Sequence, residues 1–296
     1  MRKNLQKLKI FQSLWGMEQR IPNSLEPSIR KNFEKAESAG FDGMCLDLAI
    51  HEMEDFRNSK NLFKEYNLDC MINAFPYHLD EMQYFIDMAK DFNASLLNVI
   101  SGVMPLKPLD AEPIVRSWIK EAENAGVKIL FETHRDSLLN DLFFTIQLMD
   151  LIPEMRLCAD LSHIVVDREL RLPLNDRDNE YINRVINRSD CFQGRIANRE
   201  QIQIQIDFPQ HAEWVEQFKY WWKMGLHDWH MRNSDNAELI FLCELGPRPY
   251  AITDGNQEEL SDRWNEALII RKWIQDFWKE IQNKEISTKN TIKDVQ

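Results

Sequence analysis

Eight short apolar runs alternate with eight longer stretches of helical periodicity, and this alternation constrains the fold more than any other feature. The runs cover 8–14, 43–48, 68–74, 94–100, 127–132, 156–160, 191–196 and 239–244. Each is short and apolar enough to be a buried strand of a parallel sheet. Between and after them, 26–39, 53–66, 79–92, 110–125, 137–151, 179–187, 210–224 and 257–283 carry apolar residues at helical spacing. Eight βα units in strict order predict an α/β fold, a (β/α)8 TIM barrel in one domain over 1–284. The polar tail, 285–296, is expected to fray. An open doubly wound sheet would carry a Gly-rich phosphate turn after its first strand, and Gln12-Ser13-Leu14-Trp15-Gly16-Met17 is not one.

Turn chemistry supports the alternation. Gly40 and Gly126 each stand just past a helical stretch and before a strand, as αβ connections require. Ser24 or Glu26-Pro27 is expected to start the first helix. The 296 residues are 44% hydrophobic, ample for one large core, with a formal net charge of -12. Such a charge disfavours a grip on nucleic acid, which needs clustered Lys and Arg. No apolar run is long enough for a signal peptide or a membrane span, so the expectation is a cytoplasmic protein without a membrane partner. The five cysteines all fall in strand runs and none forms a CxxC pair, which reads as buried reduced thiols.

Three runs end on a carboxylate: Glu132 on strand five, Asp160 on strand six and Glu244 on strand eight. The C-terminal strand ends of a TIM barrel converge on the active site. Carboxylates gathered in apolar surroundings repel one another unless a cation or protons neutralise them. On strand seven, Gln193 and Arg195 share one face. With the inward register, Glu132, Asp160, Gln193 and Glu244 form a ring of oxygen-bearing side chains. That ring suits one divalent metal, Mn²⁺ or Mg²⁺ rather than Zn²⁺ or Co²⁺. Asp136 and Asp110 each open a helical stretch and read as caps. His163, three residues after Asp160, is read either as a substrate or proton-transfer residue or as a loop histidine bonded to backbone. His134, His78, His51 and Trp15 also follow strand ends, and Arg195, Arg199 and Arg248 are candidates for a phosphate. Together His163, Arg195, His78, His134 and Arg248 make the candidate substrate-binding set.

At Glu132-Thr133-His134, Asp160-Leu161-Ser162-His163, Gly194-Arg195 and Glu244-Leu245-Gly246-Pro247 the chain resembles the xylose isomerase-like TIM-barrel superfamily. This is the sugar (phosphate) isomerase/epimerase group that also includes endonuclease IV, and the resemblance runs over nearly the whole chain in strand order. It implies that Glu132 and Glu244 exchange a proton beside a substrate carbonyl, that Asp160 is a metal ligand, and that His163 and Arg195 contact substrate oxygens. The family pattern has a His ligand on strand seven, where this chain has Gln193. The multi-His zinc site of the endonucleases has no counterpart at the matching strand ends.

The expected function is a metal-dependent isomerase or epimerase of a sugar-like compound, acting through an enediolate. Two alternatives stay open. The same enediolate can expel a leaving group, giving a lyase or dehydratase, and Gln193 motivates a metal-free sugar-binding protein. The segment 198–236, alternating polar and apolar at its start, is expected to add a strand or a lid. Seven tryptophans from Trp214 to Trp278 are expected to pack on the barrel wall or to form a homo-oligomer interface.

Overall fold

Phe11, Cys45, Met71, Leu96, Leu130, Cys158, Cys191, Ile240 and Leu242 form one apolar cluster, separate from the larger core shared with the helices. They come from all eight strands and fill the inside of a closed parallel barrel. The computed structural model describes residues 6–19 and 21–293. Its strands are β1 (Lys7–Ser13), β2 (Gly43–Leu48), β3 (Asp69–Ala74), β4 (Leu96–Val99), β5 (Ile129–Glu132), β6 (Leu157–Ala159), β7 (Ser189–Gln193) and β8 (Glu238–Cys243). Each pairs with its neighbour in sequence, and β8 closes on β1 from Lys7 opposite Glu238 to Gln12 opposite Cys243. The expected barrel is the observed one.

The α-helices are α1 (Ile29–Ser38), α2 (Met53–Arg57), α3 (Lys60–Glu65), α4 (Met82–Asp91), α5 (Pro108–Ala125), α6 (Leu142–Leu151), α7 (Leu161–Asp167), α8 (Asp176–Arg188), α9 (Ala212–Arg232) and α10 (Arg263–Lys293). Capping explains where several depart from the periodicity. Ser28, not Ser24 or Glu26, caps α1 by accepting from the Lys31 N–H at 3.4 Å, and Pro27 lies outside the helix. The stretch 53–66 breaks in two at Asn58-Ser59, where the Ser59 hydroxyl bonds back to the Phe56 carbonyl at 2.6 Å. Asp136 sits at φ 56° in the preceding loop, and Asp141 caps α6 instead. Asp110 lies in the first turn of α5, after the N-cap Lys107. Gly126 ends α5 at φ 70°, the left-handed conformation expected of it.

Trp221, Trp222 and Trp229 are buried against the barrel wall, Trp222 edge-on to Phe241 at 5.4 Å. Gly225 lets α9 approach: a Cβ there would meet the Phe192 ring at 2.5 Å. The five cysteines are free and buried. Among the described residues no helix is long and apolar enough to cross a membrane. The segment after β7 forms no strand; it is a loop that buries Gln203, Ile204 and Gln205. Side chains from 284 onward and residues 294–296 lie outside the described residues, and the expected tail falls there.

Candidate active site

Two residues beyond an inner apolar position, every strand presents a polar one. Ser13 follows Phe11, Asp47 follows Cys45, Asn73 follows Met71 and Asn98 follows Leu96; Glu132, Asp160, Gln193 and Glu244 follow Leu130, Cys158, Cys191 and Leu242. Alternation keeps positions i and i+2 on one side, so an apolar layer is overlaid by a polar layer at the C-terminal mouth. Much of that layer is one hydrogen-bonded chain. Ser13 Oγ donates to Asp47 Oδ2 at 3.3 Å, Asn73 Nδ2 to Asp47 Oδ1 at 2.8 Å and Asn98 Nδ2 to Asn73 Oδ1 at 2.9 Å. The amides of Asn98 and Gln193 both donate to Glu132 Oε2.

Arg195 stands at the other half of the mouth, two residues past the end of β7. A Cβ at Gly194 would meet the Phe241 ring at 2.7 Å, so glycine lets the chain press against β8 here and carry Arg195 towards Glu244. Arg195 Nη1 donates to Asp160 Oδ2 and Nη2 to Glu244 Oε1, each at 2.7 Å, while Nη1 also lies 3.1 Å from His163 Nε2. A guanidinium only donates, so His163 accepts at Nε2 and carries its proton on Nδ1. The guanidinium carbon lies over the rings of Tyr250 and Trp15, at 5.0 and 5.8 Å from their centroids. Glu132, Asp160, Gln193, Arg195, His163 and Glu244 are all between 0 and 5% exposed.

Burial governs the electrostatics. It pushes the Glu132 carboxyl well above the usual range, reinforced by the charges of Glu244 and Asp160. Glu244 is pushed up to about 8 by burial, although Arg195 opposes this. Burial also raises Asp47 to about 6, against the hydrogen bonds from Asn73 and Ser13. His163 is pushed well below its ordinary value by burial and then by His134 and Arg195, and His134 falls to about 3 for the same kind of reason. Burial works against the Arg195 charge, but Asp160 and Glu244 outweigh it and hold the guanidinium charged.

The sequence candidates divide in two. Glu132, Asp160, Gln193, Arg195, His163 and Glu244 meet in this buried group, with the His134 ring tilted against His163 at 3.9 Å between centroids. His163 is not a loop residue: it lies in the first turn of α7, a helix capped by Asp160, whose Oδ1 accepts from the Ser162 N–H at 2.9 Å. Arg248, Arg199 and His78 are not brought in. Arg248 donates to the carbonyls of Gln257 and Gln19, both at 3.0 Å, Arg199 pairs with Glu169 and Glu200, and His78 is exposed. Ser13, Asp47, Asn73 and Asn98 join the site although no strand end marked them.

For a divalent ion, the ligand-type atoms here are partly engaged and partly open. Both Asp160 carboxylate oxygens are taken, Oδ1 by Ser162 and Oδ2 by Arg195. Glu132 Oε1, Gln193 Oε1 and Glu244 Oε2 are buried without partners. Glu132, His134 and His163 place ligand-type atoms within 4.8 Å of one another. In that group His163 Nε2 faces Arg195, and the Nδ1 atoms of His163 and His134 are buried without partners.

No family model matches this chain, and no curated protein matches it. Solved structures do. A xylose isomerase-like TIM-barrel protein from Mycobacterium smegmatis, in complex with magnesium, is 15% identical over 90% of this chain and 97% of its own, with a TM-score of 0.53. L-ribulose 3-epimerase is 13% identical over 95% and 98%, at 0.59. The probable 3-DHS dehydratase of petrobactin synthesis from Bacillus anthracis is 12% identical over 89% and 98%, at 0.55. The chain therefore shares the (β/α)8 TIM-barrel fold of these structures.

Proposed function

We propose that this chain is an enzyme of the carbohydrate isomerase/epimerase class that moves a proton at a carbon beside a carbonyl. The observation that carries the proposal is the pair Glu132 and Glu244. They stand at the ends of β5 and β8, buried in one polar layer, and each keeps one carboxyl oxygen without a partner. A free oxygen on one carboxylate takes the proton from one face of the carbon, and the other carboxyl returns a proton to the opposite face. Return to the neighbouring carbon gives aldose–ketose isomerisation. Asn98 and Gln193 hold Glu132 in place through its second oxygen. The substrate class fits a ribulose epimerase among the structures of this fold.

The expected Mn²⁺ or Mg²⁺ on Glu132, Asp160, Gln193 and Glu244 has an open oxygen on Glu132, Gln193 and Glu244, but the Asp160 oxygens accept from Ser162 and Arg195, and the Arg195 charge stands where the ion would sit. The proton steps therefore rest on the chain's own side chains. Loss of a leaving group from the same enediolate, a dehydration, is the second reading, favoured by the probable dehydratase of the same fold. Ketoses, cyclitols and 3-keto-glycosides incubated in D₂O with the enzyme test both. Deuterium entering at the carbon beside the carbonyl, with an epimer or isomer formed, supports the first; an unsaturated product supports the second. No deuterium and no unsaturated product from any of them defeats both.

A further inference from the structure

We infer that the guanidinium of Arg195 takes the place of a divalent cation in this barrel: it is the built-in positive charge of the site and holds the substrate oxygen. Three atoms of the kinds that ligate metals converge on it: Asp160 Oδ2, Glu244 Oε1 and His163 Nε2, at 2.7, 2.7 and 3.1 Å. Asp160 and His163 stand at the N-terminus of α7, just past β6, and Glu244 stands just past β8, so the arrangement is a cation site closed around a side chain that follows the strand between them. A fully buried guanidinium forfeits its hydration, which close carboxylates can offset. Arg195 has two of them.

The rest of the layer agrees. With both Asp160 oxygens accepting hydrogen bonds from Ser162 and Arg195, an ion introduced between β6 and β8 would compete with these donors and would lie against a positive charge. Amide donors do similar work on the other side. Asn98 and Gln193 point their N–H groups at Glu132, where a metal would otherwise polarise that carboxylate. Gln193 stands where the family pattern has a ligating His, and it serves as a donor to Glu132.

One donor remains. Both terminal nitrogens of Arg195 are engaged, but Nε is buried and has no partner. A buried N–H without an acceptor is costly, and a ligand oxygen would satisfy it. On the proton-transfer reading that oxygen is the substrate carbonyl, whose developing negative charge a fixed guanidinium stabilises without reorganisation. Only this assignment rests on the proposed function; the cation-site assignment does not.

Mn²⁺ titration of the full chain, followed by electron paramagnetic resonance of the free ion and by thermal melting, tests the inference. Wild type and Arg195→Lys, which keep a positive charge, are expected to leave the Mn²⁺ signal and the melting temperature unchanged. Arg195→Gln and Arg195→Met free Asp160 and Glu244, and are expected to take up about one Mn²⁺ per chain, at least about tenfold more tightly than wild type. Stoichiometric Mn²⁺ on the wild type, or neutral variants that bind no better than it, overturns the inference. Should neither neutral variant fold, the wild-type titration decides alone, binding against the inference and no binding for it. The outcome is independent of turnover: a chain inert toward every carbonyl sugar in D₂O can still show this Mn²⁺ pattern, and an active epimerase can still fail it.

Discussion

The side-chain amide of Asn98 donates to the Asn73 carbonyl oxygen at 2.9 Å, and this bond joins the two halves of the polar layer. On one side lie Asn73, Asp47 and Ser13; on the other, the same Asn98 amide reaches Glu132. The carboxylate proposed to carry the chemistry is thus tied through β4, β3 and β2 to β1. Replacing Asn98 by Leu removes a donor from Glu132 and strips Asn73 of a partner. The expected cost is about 1–3 kcal/mol, read as a lower denaturation midpoint. Activity should fall with it, because Glu132 loses one of its two anchors. An unchanged midpoint would show that the amide does not hold Glu132.

Glu132→Gln and Glu244→Gln separate chemistry from fold. Each keeps the side-chain volume and removes the proton-carrying group, so each is expected to lose about 10²–10⁴-fold in turnover while still melting cooperatively. If proton transfer is shared between two faces, a single variant can retain exchange at its substrate carbon without forming the epimer. Deuterium incorporation measured beside product formation reads that difference. Full epimerisation by either variant sinks the acid/base assignment.

The barrel was legible because eight apolar runs in a parallel closed sheet leave a strong trace, and Glu132 was legible because β5 ends on it. Asp47, Asn73 and Asn98 were not, since each is a polar residue inside a largely apolar run and not at its end. The trace they leave is period two: a polar residue one inward position beyond an inner apolar one, in all eight strands. The role of Arg195 was hidden for another reason. Its partners stand just past β6 and β8, and only the side-by-side pairing of β6, β7 and β8 makes them neighbours of Arg195. The weight given to Arg248 and His78 came from their place after strands, but the loops that follow turn them to other partners or to solvent.

Gln203 ties the loop after β7 to the loop after β8. Its Nε2 donates to the Gly246 carbonyl at 3.0 Å and its Oε1 accepts from the Gly246 N–H at 2.7 Å. Gly246 is crowded by Trp15 and Tyr250, where a Cβ would come within 2.4 and 2.9 Å, and these rings face Arg195. Gln203→Leu leaves both backbone groups buried without partners, at an expected cost of about 1–3 kcal/mol for each group that water cannot reach. The aromatic cover should loosen as well, seen as faster acrylamide quenching of tryptophan fluorescence. An unaltered melting temperature together with unaltered quenching would show that the Gln203 bonds are dispensable.

Asp190 gives a stability prediction away from the mouth. It lies on β7 and accepts from Arg156 Nε at 2.9 Å, Arg156 Nη2 at 3.2 Å and Arg232 Nη1 at 2.7 Å, joining β7 to β6 and α9. Burial works to raise its carboxyl, yet Arg156 and Arg232 prevail and hold it below its ordinary value. A carboxyl depressed in the folded state binds fewer protons there than in the unfolded chain. Its contribution is therefore fully present above the unfolded value and is lost as pH falls through the folded one. Asp190→Asn should cost about 1–3 kcal/mol at pH 7, and the gap from wild type should close as urea melts are repeated toward pH 2. A gap that stays constant with pH would mean that the asparagine variant loses packing or hydrogen bonds alone, and that the charge of Asp190 contributes nothing.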